Sequence, residues 1–350
     1  MTITVKSLNN FEYLFLEKIL IIDKKFVLNE QINILLNVQV SGGMDSMCLL
    51  NSLIKITQSK HFKTKNKFII IAQHFNHQTR GIESDLDSQF VVNFCLKNGI
   101  SVYVENFNDY KINLTGKNFQ QVARNWRKKK AREISEELSK QLNCKKYFIL
   151  TAHHARDHVE TILMHLIRGC SLDGLMGIKE FDEDEIYFRP FAEISFSLLQ
   201  KYCNEEKIKY RLDSSNESDK YDRNYIRHNI LPHLSNLNHS YEKAFVSLSN
   251  DVANVLAMQK EKNLTNSIEK KWHLDAFSVN EIYMYLIEKN KELKRVLTRN
   301  AAMNLLHEIK IFKKSNFLQK DINLAQGWIV QLNKINNNID IEVMQKNFMK

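Results

Sequence analysis

The segment Ile32–Ser46, with the sequence INILLNVQVSGGMDS, decides the fold class of this chain. Its apolar first part, which ends at Val40, is typical of a strand buried on both faces, and helical spacing of apolar residues begins after Met44. Between them, the glycines of Ser41-Gly42-Gly43 let the backbone approach an anion, and the following helix offers unpaired N–H groups. The order of strand, glycine turn and helix predicts a phosphate-binding loop in an α/β fold. No Gly-Lys-Ser/Thr follows, so the loop is not of the Walker type.

Strand-like and helix-like segments alternate from the N-terminus to about residue 235. The predicted strands are Ile32–Val40, Lys67–Phe75, Ser101–Glu105 and Tyr147–Ala152. The predicted helices are Phe11–Leu20, Met44–Ile56, Asp85–Asn98, Phe119–Leu142 and a segment that continues through His165. This alternation predicts a doubly wound, mostly parallel sheet with helices on its faces.

The pattern changes after about residue 235. Three helix-like segments follow without a buried strand between them: Tyr241–Leu256, Trp272–Lys289 and Leu293–Ile311. Near the C-terminus, Trp328–Ile335 and Ile339–Val343 flank the turn Asn336-Asn337-Asn338, as in a β-hairpin. We therefore expect an α/β domain over residues 1–235 and a mainly helical domain with a small C-terminal hairpin over residues 236–350.

The composition of the chain limits its class. The 350 residues carry 50 Lys and Arg against 40 Asp and Glu, a net charge of +10 that favours a polyanionic partner. The five cysteines are scattered, which disfavours redox pairs, zinc ribbons and a disulfide scaffold. No apolar run approaches the ~20 residues of a membrane helix, and the N-terminus lacks a signal-peptide pattern. These features predict a cytoplasmic protein without a membrane partner.

Several hydroxyls and carboxylates suit chemistry on a nucleotide. Ser41 and Ser46 add hydroxyl donors to the predicted loop, and Asp45 is placed to hold a Mg²⁺ ion that bridges phosphate oxygens. Asp157 and Glu160 are three residues apart on a predicted helix, so both carboxylates share one face and can grip an ammonium group. An acidic cap at the start of that helix is the alternative interpretation of the pair.

The segment Arg124–Arg132 contains six basic residues in nine. A solvated helix face is one interpretation of this run. The interleaved Trp126 instead favours a surface for base stacking or phosphate binding.

A histidine group at residues 153, 154 and 158 raises the question of a zinc site. Ala155 stands where the HExxH motif needs Glu, and no cysteine lies nearby in the sequence. We therefore expect His77 and His154 to orient a nucleotide or substrate rather than to ligate zinc.

An ordered set of motifs extends over residues 38–234. They are SGGMDS at 41–46, HFNHQTR at 74–80, ARNWR at 123–127, TAHHARDHVET at 151–161, RP at 189–190, DSSN at 213–216 and YDRNYIR at 221–227. The first resembles the pyrophosphate loop of ATP pyrophosphatases, and the whole set resembles the shorter form of the tRNA(Ile)-lysidine synthetase family. The chain departs from that family at Thr79, Gln120 and Lys128, where Leu, Glu and an aromatic residue are usual.

The resemblance implies an adenine nucleotide alpha hydrolase-like fold and a ligase reaction. ATP would adenylate the wobble cytidine in the CAU anticodon of tRNA(Ile), and free L-lysine would then attack C2 to form lysidine, with release of AMP and pyrophosphate. The resemblance is also compatible with a homodimer.

The same resemblance implies roles for individual residues. Those expected to bind ATP are Ser41, Gly42, Gly43, Met44, Asp45, Ser46, His77, Arg80 and Arg124, with Mg²⁺ at Asp45. Those expected to bind tRNA are Arg127, Lys128, Arg223, Asn224 and Arg227. The expected catalytic residues are Asp45, His154, Asp157 and Glu160. The base that takes the lysine proton stays open among the last three.

Two alternatives lie outside lysine transfer. A thiolation-type tRNA enzyme of the same loop family is disfavoured by the scattered cysteines, because such enzymes generally need cysteine pairs or a cluster. A tRNA-binding protein without activity is disfavoured by the intact Ser41–Ser46 loop and the Asp157 and Glu160 pair.

Overall fold

The computed structural model describes residues 8–25, 31–110, 118–182, 186–212, 222–266, 299–335 and 338–345, with short stretches between 282 and 297. The chain forms two compact units, one of residues 1–161 and 177–247 and the other of residues 162–176 and 248–350. Within the described residues, no helix is both long and apolar enough to cross a membrane.

A five-stranded parallel sheet forms the centre of the first unit. Its strands are β1 (Asn33–Gln39), β2 (Lys67–Asn76), β3 (Ser101–Asn106), β4 (Cys144–Leu150) and β5 (Tyr187–Phe188). The spatial order is β3-β2-β1-β4-β5, with β1 hydrogen-bonded in parallel to both β2 and β4. The direction of winding reverses beside β1, which opens a crevice at the carboxyl ends of β1 and β4, the usual ligand position in such sheets.

Helices connect the strands and continue beyond the sheet. They are α1 (Asn10–Lys25), α2 (Met44–Thr57), α3 (Ile82–Lys97), α4 (Phe119–Gln141), α5 (Ala155–Arg168), α6 (Leu172–Leu175), α7 (Phe196–Glu205), α8 (Asp222–Tyr225), α9 (Leu231–Leu237) and α10 (Tyr241–Asn266). A π-helical turn, Ile226–Ile230, joins α8 to α9.

Both faces of the sheet are covered by helices. Leu36 of β1 belongs to the large apolar core that includes Phe15 of α1 and Leu53 of α2, whereas Leu35 packs in a cluster with Leu138 of α4. Neighbouring residues of a strand point to opposite faces, so an apolar strand of this kind requires cover on both sides.

The second unit contains a small antiparallel sheet. A helix, α11 (Arg299–Lys314), precedes β6 (Gln319–Asn323), β7 (Trp328–Ile335) and β8 (Asn338–Gln345), which pair in that order. Phe312, Trp328 and Leu332 are buried in the core of this unit.

The α/β architecture and the C-terminal antiparallel pair are confirmed. Two strands escaped the sequence analysis: β5 has only two residues, and β6 alternates exposed and half-buried residues, so neither gives a buried apolar run. The predicted helix Trp272–Lys289 lies mostly outside the described residues, as do Asn336 and Asn337 of the predicted turn. The division of the chain at residue 235 stays a prediction.

Candidate nucleotide and substrate site

The Ser41–Ser46 segment, here called the phosphate loop, joins β1 to α2. Gly42 has φ +93, a left-handed backbone conformation that favours glycine. The hydroxyl of Ser46 donates to the carbonyl oxygen of Gly43 at 3.0 Å and accepts from the main-chain N–H of Ser41 at 3.1 Å. Gly43 is the N-cap of α2 and makes no side-chain capping bond. The loop is thus closed by its own hydrogen bonds, while the positive end of α2 stays open to an anion.

Two arginines and one carboxylate support the phosphate loop. Arg80, which follows β2, donates from Nη2 to Oδ2 of Asp87 at 2.7 Å, and Nε of Arg211 donates to Oδ1 of the same residue. The main-chain N–H of Arg211 donates to the carbonyl oxygen of Gly42 at 3.0 Å. Sequence reasoning did not identify Asp87 or Arg211. The available signal was an acidic residue on the inward face of α3, four residues before the buried Val91.

His154 lies between two carboxylates at the crevice. Its Nε2 atom is 3.7 Å from Oδ2 of Asp45 and 3.5 Å from Oδ2 of Asp157. Burial alone lowers the pKa of this imidazole, but the charges of Asp157 and Asp45 outweigh burial and hold the pKa above its ordinary value. The end of β1 and the start of α5 therefore meet through one buried histidine.

Asp157 and Glu160 lie one turn apart on α5 and are bridged by two arginines. Arg223 donates from Nε to Oε2 of Glu160 at 2.6 Å and from Nη2 to Oδ1 of Asp157 at 3.1 Å. Arg227 donates from Nε to Oε1 of Glu160 at 2.7 Å and from Nη2 to Oδ1 of Asp157 at 3.3 Å. Burial raises the pKa of the Asp157 carboxyl, but His154 and Arg223 outweigh burial and hold that pKa well below its usual range. Asp157 is therefore ionised in the folded protein.

Trp126 of the basic helix α4 is a core residue. It is only 5% exposed, and its ring lies 5.2 Å from that of Phe75, 5.1 Å from that of Phe107 and 5.6 Å from that of His77. The expectation that Trp126 offers a stacking surface is wrong, because its indole is used up by packing. Burial and the charge of Arg127 lower the pKa of His77 to about 4, so His77 is neutral at pH 7.

Positive charge collects at the end of β4. Arg124 and Lys128 are exposed on α4, and Arg127 beside them is half-buried. Burial, with the charges of Arg189, Arg223 and Arg124, lowers the pKa of His153 to about 4 despite the opposing charge of Asp157. The basic residues of α4, the arginine after β5 and the arginine of α8 therefore act on one place.

The residues predicted for the site thus fall into three groups. The phosphate loop is joined to Arg80 through Asp87 and Arg211. Asp45, His154, Asp157, Glu160, Arg223 and Arg227 form one connected cluster of charges. His77 lies with Trp126 near the α4 cations, and Asn224 is half-buried on α8.

Residues 18–234 match the PP-loop domain family. The chain belongs to the PP-loop family. The phosphate loop between β1 and α2 carries the residues by which the sequence resembled this family, and the predicted membership is confirmed.

Curated relatives point to one enzyme class among PP-loop proteins. The chain is similar to the tRNA(Ile)-lysidine synthase of Clostridium acetobutylicum, with 37% identity over 246 residues, 67% of this chain and 50% of that protein. It is also similar to the tRNA(Ile)-lysidine synthase of Clostridium tetani, with 30% identity over 275 residues, 78% of this chain and 55% of that protein. The chain spans about half the length of these PP-loop relatives.

A solved structure supports the PP-loop fold. The U34-tRNA thiolase NcsA from Methanococcus maripaludis superimposes with a TM-score of 0.50 and 20% identity, over 69% of this chain and 78% of that chain. At this level of identity the likeness extends to the fold alone.

Proposed function

We propose that this protein is a cytoplasmic ligase that uses ATP to join free L-lysine to C2 of the wobble cytidine in the CAU anticodon of tRNA(Ile). The observation that carries the proposal is the contact of the phosphate loop with the Asp157 and Glu160 cluster through His154. A nucleotide-activating loop and a site for a cationic amino acid are the two parts that such a reaction needs. The relatives named tRNA(Ile)-lysidine synthase support the choice of substrates.

The proposed reaction has two steps. The C2 oxygen of the cytidine attacks the α-phosphorus of ATP, the α–β phosphoanhydride bond breaks, and pyrophosphate leaves. The ε-amine of lysine, once deprotonated, then attacks C2, the C2–O bond to AMP breaks, and lysidine forms.

The phosphate loop binds the β- and γ-phosphates in the first step. Main-chain N–H groups at the start of α2 face the anion, and Arg80 and Arg211 fix the loop from behind through Asp87 and Gly42. His77 and Arg124 complete the proposed nucleotide site.

Asp45 is the residue that would hold Mg²⁺. Its Oδ1 atom is buried and has no hydrogen-bond partner in the described part of the chain, which fits an oxygen reserved for a cation. A bound Mg²⁺ would neutralise charge on the phosphate oxygens.

The second step needs a neutral amine, whereas free lysine has a pKa of ~10.4 and is protonated at pH 7. Asp157 and Glu160 provide the negative charge that attracts its ammonium group, and His154 lies within 3.5 Å of Asp157 to exchange a proton with it. In Arg223 and Arg227, the Nε and Nη2 atoms are used by the carboxylates. Their Nη1 groups are the proposed donors to tRNA phosphate, together with Asn224, Arg127 and Lys128.

The test combines ATP, labelled lysine and transcripts of tRNA(Ile) with a CAU anticodon. We expect lysine incorporation into this transcript and none into initiator methionine tRNA, which shares the anticodon. RNA binding without incorporation would instead favour a binding protein, and sulfur incorporation would favour a thiolation enzyme.

Variants separate the two steps. Asp45→Ala is expected to abolish release of pyrophosphate, whereas Asp157→Asn should leave it measurable and stop lysine transfer. Equal loss of both steps in Asp157→Asn, with an unchanged melting temperature, would contradict this assignment of Asp157.

A further inference from the structure

Lys128 of α4 and Arg189, the residue after β5, lie against one buried tyrosine. The Nζ atom of Lys128 is 5.9 Å from the ring centroid of Tyr187, and the guanidinium carbon of Arg189 is 6.0 Å from it. The tyrosine hydroxyl donates to the main-chain carbonyl of Lys128 at 3.4 Å, and Nη1 of Arg189 donates to the carbonyl of Lys179 at 2.9 Å. Two cations are thus held in fixed positions around one ring.

These cations differ from the other arginines of the site in having no carboxylate partner. Arg80, Arg156, Arg211, Arg223 and Arg227 each form an ion pair with Asp or Glu. Within the described residues, neither Lys128 nor Arg189 forms one. The Oδ1 atom of Asp182, whose charge both cations feel, instead accepts the main-chain N–H groups of Ile186 and Tyr187 at 2.9 and 3.0 Å.

Unpaired cations held close together are electrostatically unfavourable. Burial, and then the charge of Arg124, lowers the pKa of Lys128, and burial with the charges of neighbouring cations also lowers the pKa of Arg189. A bound anion relieves this repulsion, so the arrangement gives binding free energy to an anion and not to a neutral ligand.

The position of these cations distinguishes the two anions of the proposed reaction. β5 is two strands from β1, and neighbouring strands are separated by about 4.8 Å, so the cations lie roughly 10 Å from the strand that carries the phosphate loop. That separation suits a second anion beside the ATP phosphates. Lys128 is exposed, as a contact with a large partner requires.

We propose that Lys128 and Arg189 bind one phosphodiester of the RNA substrate next to the nucleotide that is adenylated. This inference rests on the proposed function for the identity of the RNA, and it adds Arg189, which no earlier step assigned. Phosphate contacts position an RNA without reading its sequence, so the pair would set the register of the anticodon loop in the crevice.

The test measures binding of the anticodon stem-loop of tRNA(Ile) at several salt concentrations, without lysine. Arg189→Gln and Lys128→Gln are compared with Lys129→Gln, a matched control on the same helix. Lys129 is 75% exposed and pairs with Glu133 at 3.7 Å, so its removal changes net charge equally without touching the pair. ATP affinity and melting temperature are measured for each variant.

We expect each of the two variants to reduce the slope of log K against log salt by about 0.7, the value for one lost phosphate contact on a single strand, and to leave ATP affinity unchanged. The Lys129→Gln slope should equal that of the wild type. Equal slopes in all proteins, or lost ATP affinity with an unchanged slope, would overturn the proposal. A slope change in a protein that fails to transfer lysine would retain this RNA site and reject the proposed function.

Discussion

The main-chain N–H of Arg211 donates a 3.0 Å hydrogen bond to the carbonyl oxygen of Gly42. The segment after α7 is therefore attached to the phosphate loop, although the two residues are far apart in sequence. Gly42 provides this acceptor in a left-handed conformation, with φ +93, and its Cα faces the backbone of Asp87. The shape of the loop thus depends on contacts from α3 and from the segment after α7.

Replacement of Gly42 by alanine should weaken ATP binding. An L-residue in the left-handed region costs about 1–2 kcal/mol, and relief of that strain moves the carbonyl that accepts from Arg211. We expect Gly42→Ala to lose about that much stability and also to lose ATP affinity in a direct titration.

Gly99→Ala is the matched control for this change. Gly99 follows α3 with φ +67, and no atom lies within 4 Å of a Cβ placed there. It should lose comparable stability and keep ATP affinity. Similar ATP affinity in the two variants would show that the loop tolerates the change.

Asp87→Asn should loosen both arginines that support the phosphate loop. The charge-assisted bonds from Arg80 and Arg211 become ordinary hydrogen bonds or break, at a cost of about 1–3 kcal/mol in stability. We expect the KM for ATP to rise about tenfold, equivalent to ~1.4 kcal/mol, while the KM for lysine is unchanged.

The control for Asp87 is Glu83→Gln on the same helix. Glu83 is 56% exposed and lies 3.7 Å from Arg80, so this surface pair contributes little. A double variant, Asp87→Asn with Arg211→Ala, should show non-additive effects on the KM for ATP. Additive effects would mean that Asp87 does not act through Arg211.

Arg227→Met should destabilise the protein strongly. Glu160 is completely buried, and loss of Arg227 leaves its carboxylate with Arg223 as the remaining guanidinium. Breaking a buried pair in this way costs about 3–5 kcal/mol, measured as the free energy of unfolding in urea. Lys201→Gln removes the exposed pair with Glu205, at 3.8 Å, and should change stability by about 0–1 kcal/mol. Equal effects of the two substitutions would contradict a buried cluster.

The stability of the protein should fall as the pH drops from about 6.5 to about 4. Burial lowers the pKa of His77 to about 4, with a contribution from Arg127, whereas an unfolded histidine has a pKa near 6.5. Between these values the unfolded chain binds more protons, so the stabilising effect of the neutral ring is present above pH 6.5 and is lost towards pH 4.

The variant His77→Phe isolates this contribution. Phenylalanine keeps the aromatic contacts with Phe107 and Trp126 and does not titrate. Its free energy of unfolding should fall by about 1–2 kcal/mol less than that of the wild type over this pH range. Parallel pH profiles would show that His77 titrates normally in the folded protein.

Local sequence patterns determined much of the first unit. The apolar run of β1, the glycine turn and the periodicity of α2 predict that region because each depends on residues adjacent in the chain. The spacing of Asp157 and Glu160 likewise places them on one face of α5, since a helix turn spans 3.6 residues.

Partners distant in the chain were decided by the tertiary structure. Trp126 lies among basic residues in the sequence, yet the fold buries it against Phe75 and Phe107. The sequence suggested that Arg223 and Arg227 meet phosphate, whereas the fold also pairs them with the carboxylates of α5. No periodicity encodes such pairs, because they depend on which strand ends become neighbours.

The amino-acid sequence by itself determined an α/β chain with a phosphate loop and its membership of the PP-loop family. Only the tertiary structure decided which charges neutralise one another, and so which remain available to ligands. Asp87 takes up the charge of Arg80 and Arg211, and Glu160 that of Arg223 and Arg227, whereas Lys128 and Arg189 keep theirs. The physical reason is that ion pairing depends on separations of a few ångströms, which the packing of β1, β4 and β5 sets and the order of residues does not.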